Sequence, residues 1–180
     1  MLSVASIIAY AAIREGFEVR QSEVHGMAQR GGAVLAHLRI ADEKIAGDLV
    51  PRAGADLIIS MEPLESLRYL SWLKKDGALV TAAEPFLNIA DYPDINKITS
   101  SIKSLPKWRL VNAASLAKEA GLTRTVNTVM VGAASFFLPI KSQTLEETIA
   151  VVFSKKEDAV IQANSNAFKL GQAAVKDGEA

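Results

Sequence analysis

The sequence predicts an α/β domain, a three-layer α/β/α arrangement around a mainly parallel sheet, formed by residues 1–180 as one unit. Three observations carry that expectation. Short strand-like runs alternate along the chain with segments of helical periodicity, as in strand–helix–strand units. One run, Leu57-Ile58-Ile59 within Asp56-Leu57-Ile58-Ile59-Ser60-Met61, is apolar without alternation, as in a strand covered on both faces. Apolar residues make up 49% of the chain and aromatics 6%, which suits a packed domain and not a disordered or fibrous one.

The elements follow in order. Leu2, Ile7, Ile8, Ala11 and Ala12 fall at helical spacing in an apolar opening segment, with Gly16 as its C-terminal stop. That segment lacks a basic leader region and is too short to span a membrane, so it reads as a buried helix. Phe17-Glu18-Val19-Arg20 alternates as a strand that continues towards Val24. After a break in both periodicities, Val34, Ala36, Leu38 and Ile40 face one way while Leu35, His37 and Arg39 face the other. Pro63 opens a helix carrying Leu64, Leu67, Leu70 and Leu73, with Gly77 after its end. A strand over 78–83, a loop over 85–93, a helix over 94–104 and a strand over 108–111 come next. Helices are expected over 113–120, stopped by Gly121, and over 126–138, stopped by Pro139. Thr144-Leu145-Glu146-Glu147 has capping-box spacing, and a last amphipathic helix runs over 157–173.

Charge and composition exclude several functions. Twenty basic and twenty acidic residues cancel. With no basic cluster to neutralise phosphates, nucleic acid is not an expected partner, and neither is a membrane. There is no cysteine, so the chain offers no thiolate to an iron–sulfur cluster, no disulfide and no cysteine nucleophile. His25 and His37 have no carboxylate pattern beside them, so no metal site is expected. The expected compartment is the cytoplasm.

The informative stretch is Ser22-Glu23-Val24-His25-Gly26-Met27-Ala28-Gln29-Arg30-Gly31-Gly32, followed by Ala33 to Ile40. It reads as strand, polar glycine-containing loop, strand. Gly31-Gly32 lets backbone approach a ligand closely, and Arg30 adds a planar cation suited to carboxylate or phosphate. Backbone amides beside an arginine form an anion cradle. A plain tight turn explains the same glycines, and spacing alone favours that turn. His25 is a candidate proton donor, although a loop histidine satisfied by backbone is the commoner case. Glu62, at the end of a predicted parallel strand, lies where α/β ligands gather, but a carboxylate favoured by a helix N-terminus is the stronger reading. His37 and Arg39 read as lining a solvated or subunit-facing side. Trp72 and the leucine stripe read as core, with an interface as the alternative, and Glu15, Lys74, Lys75, Lys155 and Lys156 as solvated surface.

This stretch closely resembles the gamma domain of pyruvate and related 2-oxoacid:ferredoxin oxidoreductases, and the beta subunit of the indolepyruvate type in particular. Ala55-Asp56-Leu57-Ile58-Ile59 leading to Glu62-Pro63-Leu64-Glu65-Ser66-Leu67-Arg68-Tyr69 is similar too, as are Asn127-Thr128-Val129-Met130-Val131-Gly132-Ala133 and the helix over 164–171. The resemblance covers nearly the whole chain. It implies oxidative decarboxylation of a 2-oxoacid, here indolepyruvate or another arylpyruvate, to an acyl-CoA with reduction of ferredoxin. It also implies a large partner subunit that holds thiamine diphosphate and iron–sulfur clusters, coenzyme A as co-substrate, and no cofactor held by this chain alone. Gln29, Arg30, Gly31 and Gly32 are the positions it suggests for receiving coenzyme A.

Members of that family open on a strand and a GxGGxG-type turn ahead of the helix with which this sequence starts. The expectation is therefore a sheet lacking its N-terminal strand and glycine-rich turn. Two other readings stay open: a stand-alone α/β module or assembly subunit that binds a nucleotide or acyl carrier, and a flavodoxin-like redox protein. The sparse aromatics and the missing phosphate loop weigh against the latter.

Overall fold

A computed structural model describes residues 2–24, 34–87 and 91–176. Helix α1 (Leu2–Arg14) leads into strands β1 (Glu18–Glu23) and β2 (Ala36–Ala41), an antiparallel pair. Then come β3 (Ala55–Ser60), α2 (Pro63–Arg68), β4 (Leu73–Ala82), α3 (Ile95–Lys103) and β5 (Trp108–Val111). These three strands form a parallel sheet in the order β3-β4-β5. Helices α4 (Ala113–Glu119), α5 (Val126–Ala134), α6 (Ser142–Val152) and α7 (Asp158–Lys176) complete the described chain.

The three layers follow from side-chain alternation in strands buried on both faces. Ile58 of β3, Leu79 of β4 and Leu110 of β5 turn to one face and pack with Ile98 and Ile102 of α3 and with Leu64 and Leu67 of α2. Their neighbours Ile59, Val80 and Val111 turn to the other, against Val129 and Met130 of α5 and Ala167 of α7. A second core on this side joins Ile7, Ile8 and Ala11 of α1 to Leu145 and Ile149 of α6, and covers the apolar face of the hairpin through Val19, Leu38 and Ile40. The expected α/β architecture is what forms. The strands, however, divide into a two-stranded hairpin and a three-stranded parallel sheet, and β2 and β3 are not paired with each other.

Local chemistry explains most boundaries. Gly16 and Gly121 adopt φ of 89° and 99° just past α1 and α4, the left-handed conformation that ends helices at little cost for glycine. Asp94 caps α3 by accepting the Asn96 N–H at 2.8 Å.

Three expectations are corrected. The leucine stripe does not make one helix: α2 stops at Arg68, Leu70–Trp72 is a single 3₁₀ turn, and Leu73 already begins β4. Gly77 therefore lies inside a strand, where the β3–β4 register shifts, and a Cβ there would meet the Ala55 carbonyl at 3.0 Å. The helix expected over 126–138 ends as α5 at Ala134 and continues as a 3₁₀ turn, Ser135–Phe137. Finally, Thr144 does not cap α6, which starts earlier, at Ser142. Glu15 from the end of α1 accepts the Lys141 N–H at 2.9 Å instead. A hydrogen bond with the Thr144 side chain and the bond from the Lys141 backbone hold the Glu15 carboxyl below its ordinary value, so it is not idle surface.

Helix α5 is buried from Thr128 to Ala134, as expected of a helix surrounded by protein. It crosses α7 at glycines on both sides. A Cβ on Gly132 would lie 2.1 Å from the Phe168 carbonyl oxygen, and one on Gly171 would lie 2.0 Å from that of Val129. Thr128 donates to Asn164 across the same contact at 2.6 Å, which satisfies a polar pair buried at 2% and 3% exposure. Gly132→Ala and Gly171→Ala are each expected to destabilise the protein by about 3 kcal/mol, the upper end for overpacking, because the obstacle is backbone. Urea unfolding checks this, and a loss below about 0.5 kcal/mol in both would show that the helices can separate freely.

Candidate functional site

The motif run is held at its two ends. Val24 donates its N–H to the Leu35 carbonyl at 3.0 Å, one step beyond the ladder that pairs Glu23 with Ala36. His25, Gln29, Arg30, Gly31 and Gly32 all lie between these anchors and outside the described residues. Their flank is described: Val34 and Leu35 line a cavity of about 1150 Å³ that also reaches Ser60, Met61 and Glu62 at the C-terminal end of β3. The end of a parallel strand is where ligands of open α/β sheets collect, because the helices that follow present free N–H groups there. The flank of the run and the strand end thus belong to one cavity.

Glu62 is fully engaged at this end. Its Oε2 accepts the Glu65 N–H at 2.7 Å, as N-cap of α2. Its Oε1 accepts the Tyr92 hydroxyl, and more loosely the Phe86 N–H at 3.4 Å. Ser60 fixes the backbone by donating its hydroxyl to the Glu62 carbonyl at 2.7 Å. A carboxylate with these partners holds a helix start and two points of the segment after β4 together, so the helix-capping reading of Glu62 stands. Tyr92 was not singled out in the sequence. A tyrosine thirty positions from a glutamate carries no signal until the fold brings them together.

His37 and Arg39 both reach the cavity and are tied to the connection between β2 and β3. His37 Nδ1 accepts the Val50 N–H at 3.1 Å, which puts the proton of the neutral ring on Nε2. Arg39 donates to the Gly47 carbonyl at 2.7 Å. Trp72 also lines the cavity, with the Arg52 guanidinium 4.3 Å over its ring, so it is a wall residue with one cationic neighbour. Lys74 is paired with Asp56, whereas sequence alone suggested an idle surface lysine.

Burial, and then the hydrogen bond to the Glu62 carboxylate, raise the Tyr92 pKa well above its ordinary 10.0. The folded state therefore favours the protonated phenol. The stability tied to this group is present below pH 10.0 and is lost as pH rises towards the folded value. Tyr92→Phe is expected to cost about 1 kcal/mol at neutral pH, the low end for a bond to a charged acceptor because the site is partly solvated. It should also flatten the fall in stability above pH 10.0 relative to the unsubstituted protein. Chemical unfolding across alkaline pH measures both, and parallel curves would remove the Tyr92–Glu62 bond as a determinant.

The chain has no cysteine to ligate a cluster. Among the described residues no group of three His, Asp or Glu side chains could hold a metal ion.

Comparison with known proteins agrees with this geometry. The chain is 36% identical over 187 residues to "Indolepyruvate oxidoreductase subunit IorB" of Thermococcus kodakarensis, covering 98% of this chain and 91% of that one. The gamma subunit of a keto/oxoacid ferredoxin oxidoreductase from Geobacter sulfurreducens has the same fold, with a TM-score of 0.68 at 22% identity, over 97% of this chain and 90% of that one. A 2-oxoglutarate:ferredoxin oxidoreductase from Magnetococcus marinus, solved with 2-oxoglutarate, coenzyme A and succinyl-CoA bound, superposes with a TM-score of 0.74 at 24% identity, over 98% of this chain and 29% of that longer one. The model of the pyruvate ferredoxin/flavodoxin oxidoreductase family matches residues 1–174. With nearly its whole length matched in sequence and in fold, the chain belongs to that family.

Proposed function

We propose that this chain is the small subunit of a 2-oxoacid:ferredoxin oxidoreductase of the indolepyruvate type. The observation that carries the reading is the 36% identity, over 98% of the chain, to a subunit so named. Such an enzyme converts an aryl 2-oxoacid and coenzyme A to an acyl-CoA and carbon dioxide, passing two electrons to ferredoxin. With no cysteine in the chain, and no group of three His, Asp or Glu side chains among the described residues that could hold a metal ion, thiamine diphosphate and the clusters are assigned to a larger partner subunit. Among the described residues no helix is long and apolar enough to cross a membrane; the cytoplasm is the compartment proposed for the complex.

The part assigned to this chain is to wall the active site and receive coenzyme A. Gln29, Arg30, Gly31 and Gly32 are the residues proposed for it: a guanidinium and close backbone amides suit the phosphates of that co-substrate. Support comes from the flank of the run, since Val34 and Leu35 share a cavity with the C-terminal end of β3. His25 is a proposed proton donor in the same run. Purification of the chain from its native source without oxygen is expected to bring down a larger iron–sulfur subunit. Recovery of the chain alone would instead favour a free-standing binding module. In the assembled enzyme, Arg30→Ala should raise the KM for coenzyme A roughly tenfold while changing that for the 2-oxoacid little, as loss of one charge-assisted contact implies. An unchanged KM for coenzyme A would take that role from Arg30.

A further inference from the structure

Strand β1 ends the hairpin on one side, and among the described residues no strand lies beyond it. Val24 and Leu35 are hydrogen-bonded to each other, so in the antiparallel ladder Ser22, Arg20 and Glu18 also turn their backbone groups towards β2. Val19 and Gln21 therefore turn theirs outward, to the open edge. Such a row is a template for another strand unless a bulge, a proline or a charge turned inward blunts it. The pairing with β2 runs without a register shift from Glu18 to Glu23, and β1 contains no proline.

Helix α1 overhangs the same edge. Tyr10 and Ile13 are 59% and 56% exposed, on a helix whose other large apolar side chains are buried between Val4 and Ala12. With Ser6 and Ala9 they line a cleft of about 400 Å³ whose other wall is Val19 and Gln21 of β1. A strand laid along β1 would satisfy its outward backbone groups, and a helix carried above that strand would cover Tyr10 and Ile13. A second copy of this chain supplies both at once.

The charges of β1 choose the register. Val19 faces α1, so Glu18 and Arg20 on either side of it share the opposite face, where they form an exposed pair at 3.1 Å within the strand. A two-fold axis at Val19 sets Glu18 of each copy opposite Arg20 of the other, twice over. These are the positions in an antiparallel ladder where facing side chains come closest. An axis at Arg20 would set two guanidinium groups against each other, and one at Gln21 would leave Arg20 opposite Ser22. The axis at Val19 also keeps both α1 helices on one face. Helix α1 packs on both strands of the hairpin, through Val19 and through Leu38 and Ile40. With neighbouring strands about 4.8 Å apart, the two helices then stand about 10 Å from each other, the spacing of packed helices. Tyr10 and Ile13 fill that gap.

We propose that β1 is a self-association edge: two copies pair antiparallel through Val19 into one four-stranded sheet covered by both α1 helices. β2 and not β1 lines the cavity at the end of β3, so this pairing leaves that site open.

Sedimentation equilibrium of the full chain tests the pairing, and a species of twice the chain mass is expected. Arg20→Glu and Glu18→Arg should each weaken association at least about tenfold, because each sets like charges opposite one another. An equimolar mixture of the two variants should restore it, since the acidic edge of one then faces the basic edge of the other. Loss of the bond within the strand would not produce that recovery. A chain that stays monomeric up to its solubility limit, a dimer that neither substitution weakens, or a mixture no tighter than its components would overturn the proposal. Should a variant fail to fold, hydrogen exchange in the unsubstituted chain decides. The amides of Val19 and Gln21 are expected to be protected at high protein concentration and to exchange faster on dilution. Exchange independent of concentration, or protection gained only with a larger subunit, refutes self-pairing.

Discussion

The close crossing of α5 and α7 is the constraint on which the rest of the structure depends. Where Gly132 and Gly171 meet the opposing backbone, no side chain separates the two helices. Dispersion between densely packed backbone atoms replaces the usual interlocking of side chains there, and any added carbon meets a carbonyl. The crossing matters beyond these helices because α5 belongs to two cores at once. Val129 and Met130 pack under the parallel sheet, while Val131 packs with α1 and α6. Since β2 and β3 do not pair, the hairpin is joined to the parallel sheet chiefly through packing on this shared helix layer.

That dependence bears on function. The motif run is carried by the hairpin, whereas Glu62, Tyr92 and the end of β3 belong to the parallel sheet. The relative placement of the two is set by apolar contacts of α1, with Leu38 and Ile40 on one side and Phe168 of α7 on the other. Arg14 reinforces the arrangement by reaching from α1 to Glu147 at 2.8 Å and to Thr148 at 3.1 Å in α6. An exposed ion pair of this kind contributes little energy, so the apolar layer carries most of the positioning. A loosened crossing would disturb the site from a distance without touching a site residue.

Much of the fold was legible because its signals are local. Gly16 and Gly121 mark helix ends by a conformation that few other residues tolerate, and Trp108–Val111 reads as a strand and is one. The Leu57-Ile58-Ile59 run announced burial on both faces, and alternate residues do serve two separate cores. The failures share a different cause. Leucines at spacings of three fit a helix equally well whether or not it breaks; here Tyr69 and the Leu70–Trp72 turn redirect the chain so that Leu73 can join β4. Thr144 and Glu147 have the spacing of a cap, yet Glu15 does that work from far away in sequence. The motif run stands out in the sequence but lies outside the described residues, and the Glu62–Tyr92 bond has no sequence signal, because only the tertiary fold brings the two groups together.

The flank of the glycine-arginine run and the C-terminal end of β3 meet in one place. Val34 and Leu35, which close the run, lie along the same cavity as the unpaired edge of β3. Strand edges hold their neighbours in register by hydrogen bonds, which are directional, whereas apolar packing alone fixes position less sharply. With β2 and β3 unpaired among the described residues, how far the flank of the run stands from the end of β3 is set by the apolar layer that α1 and α5 share. A change at the Gly132–Gly171 crossing reaches that flank through the same layer.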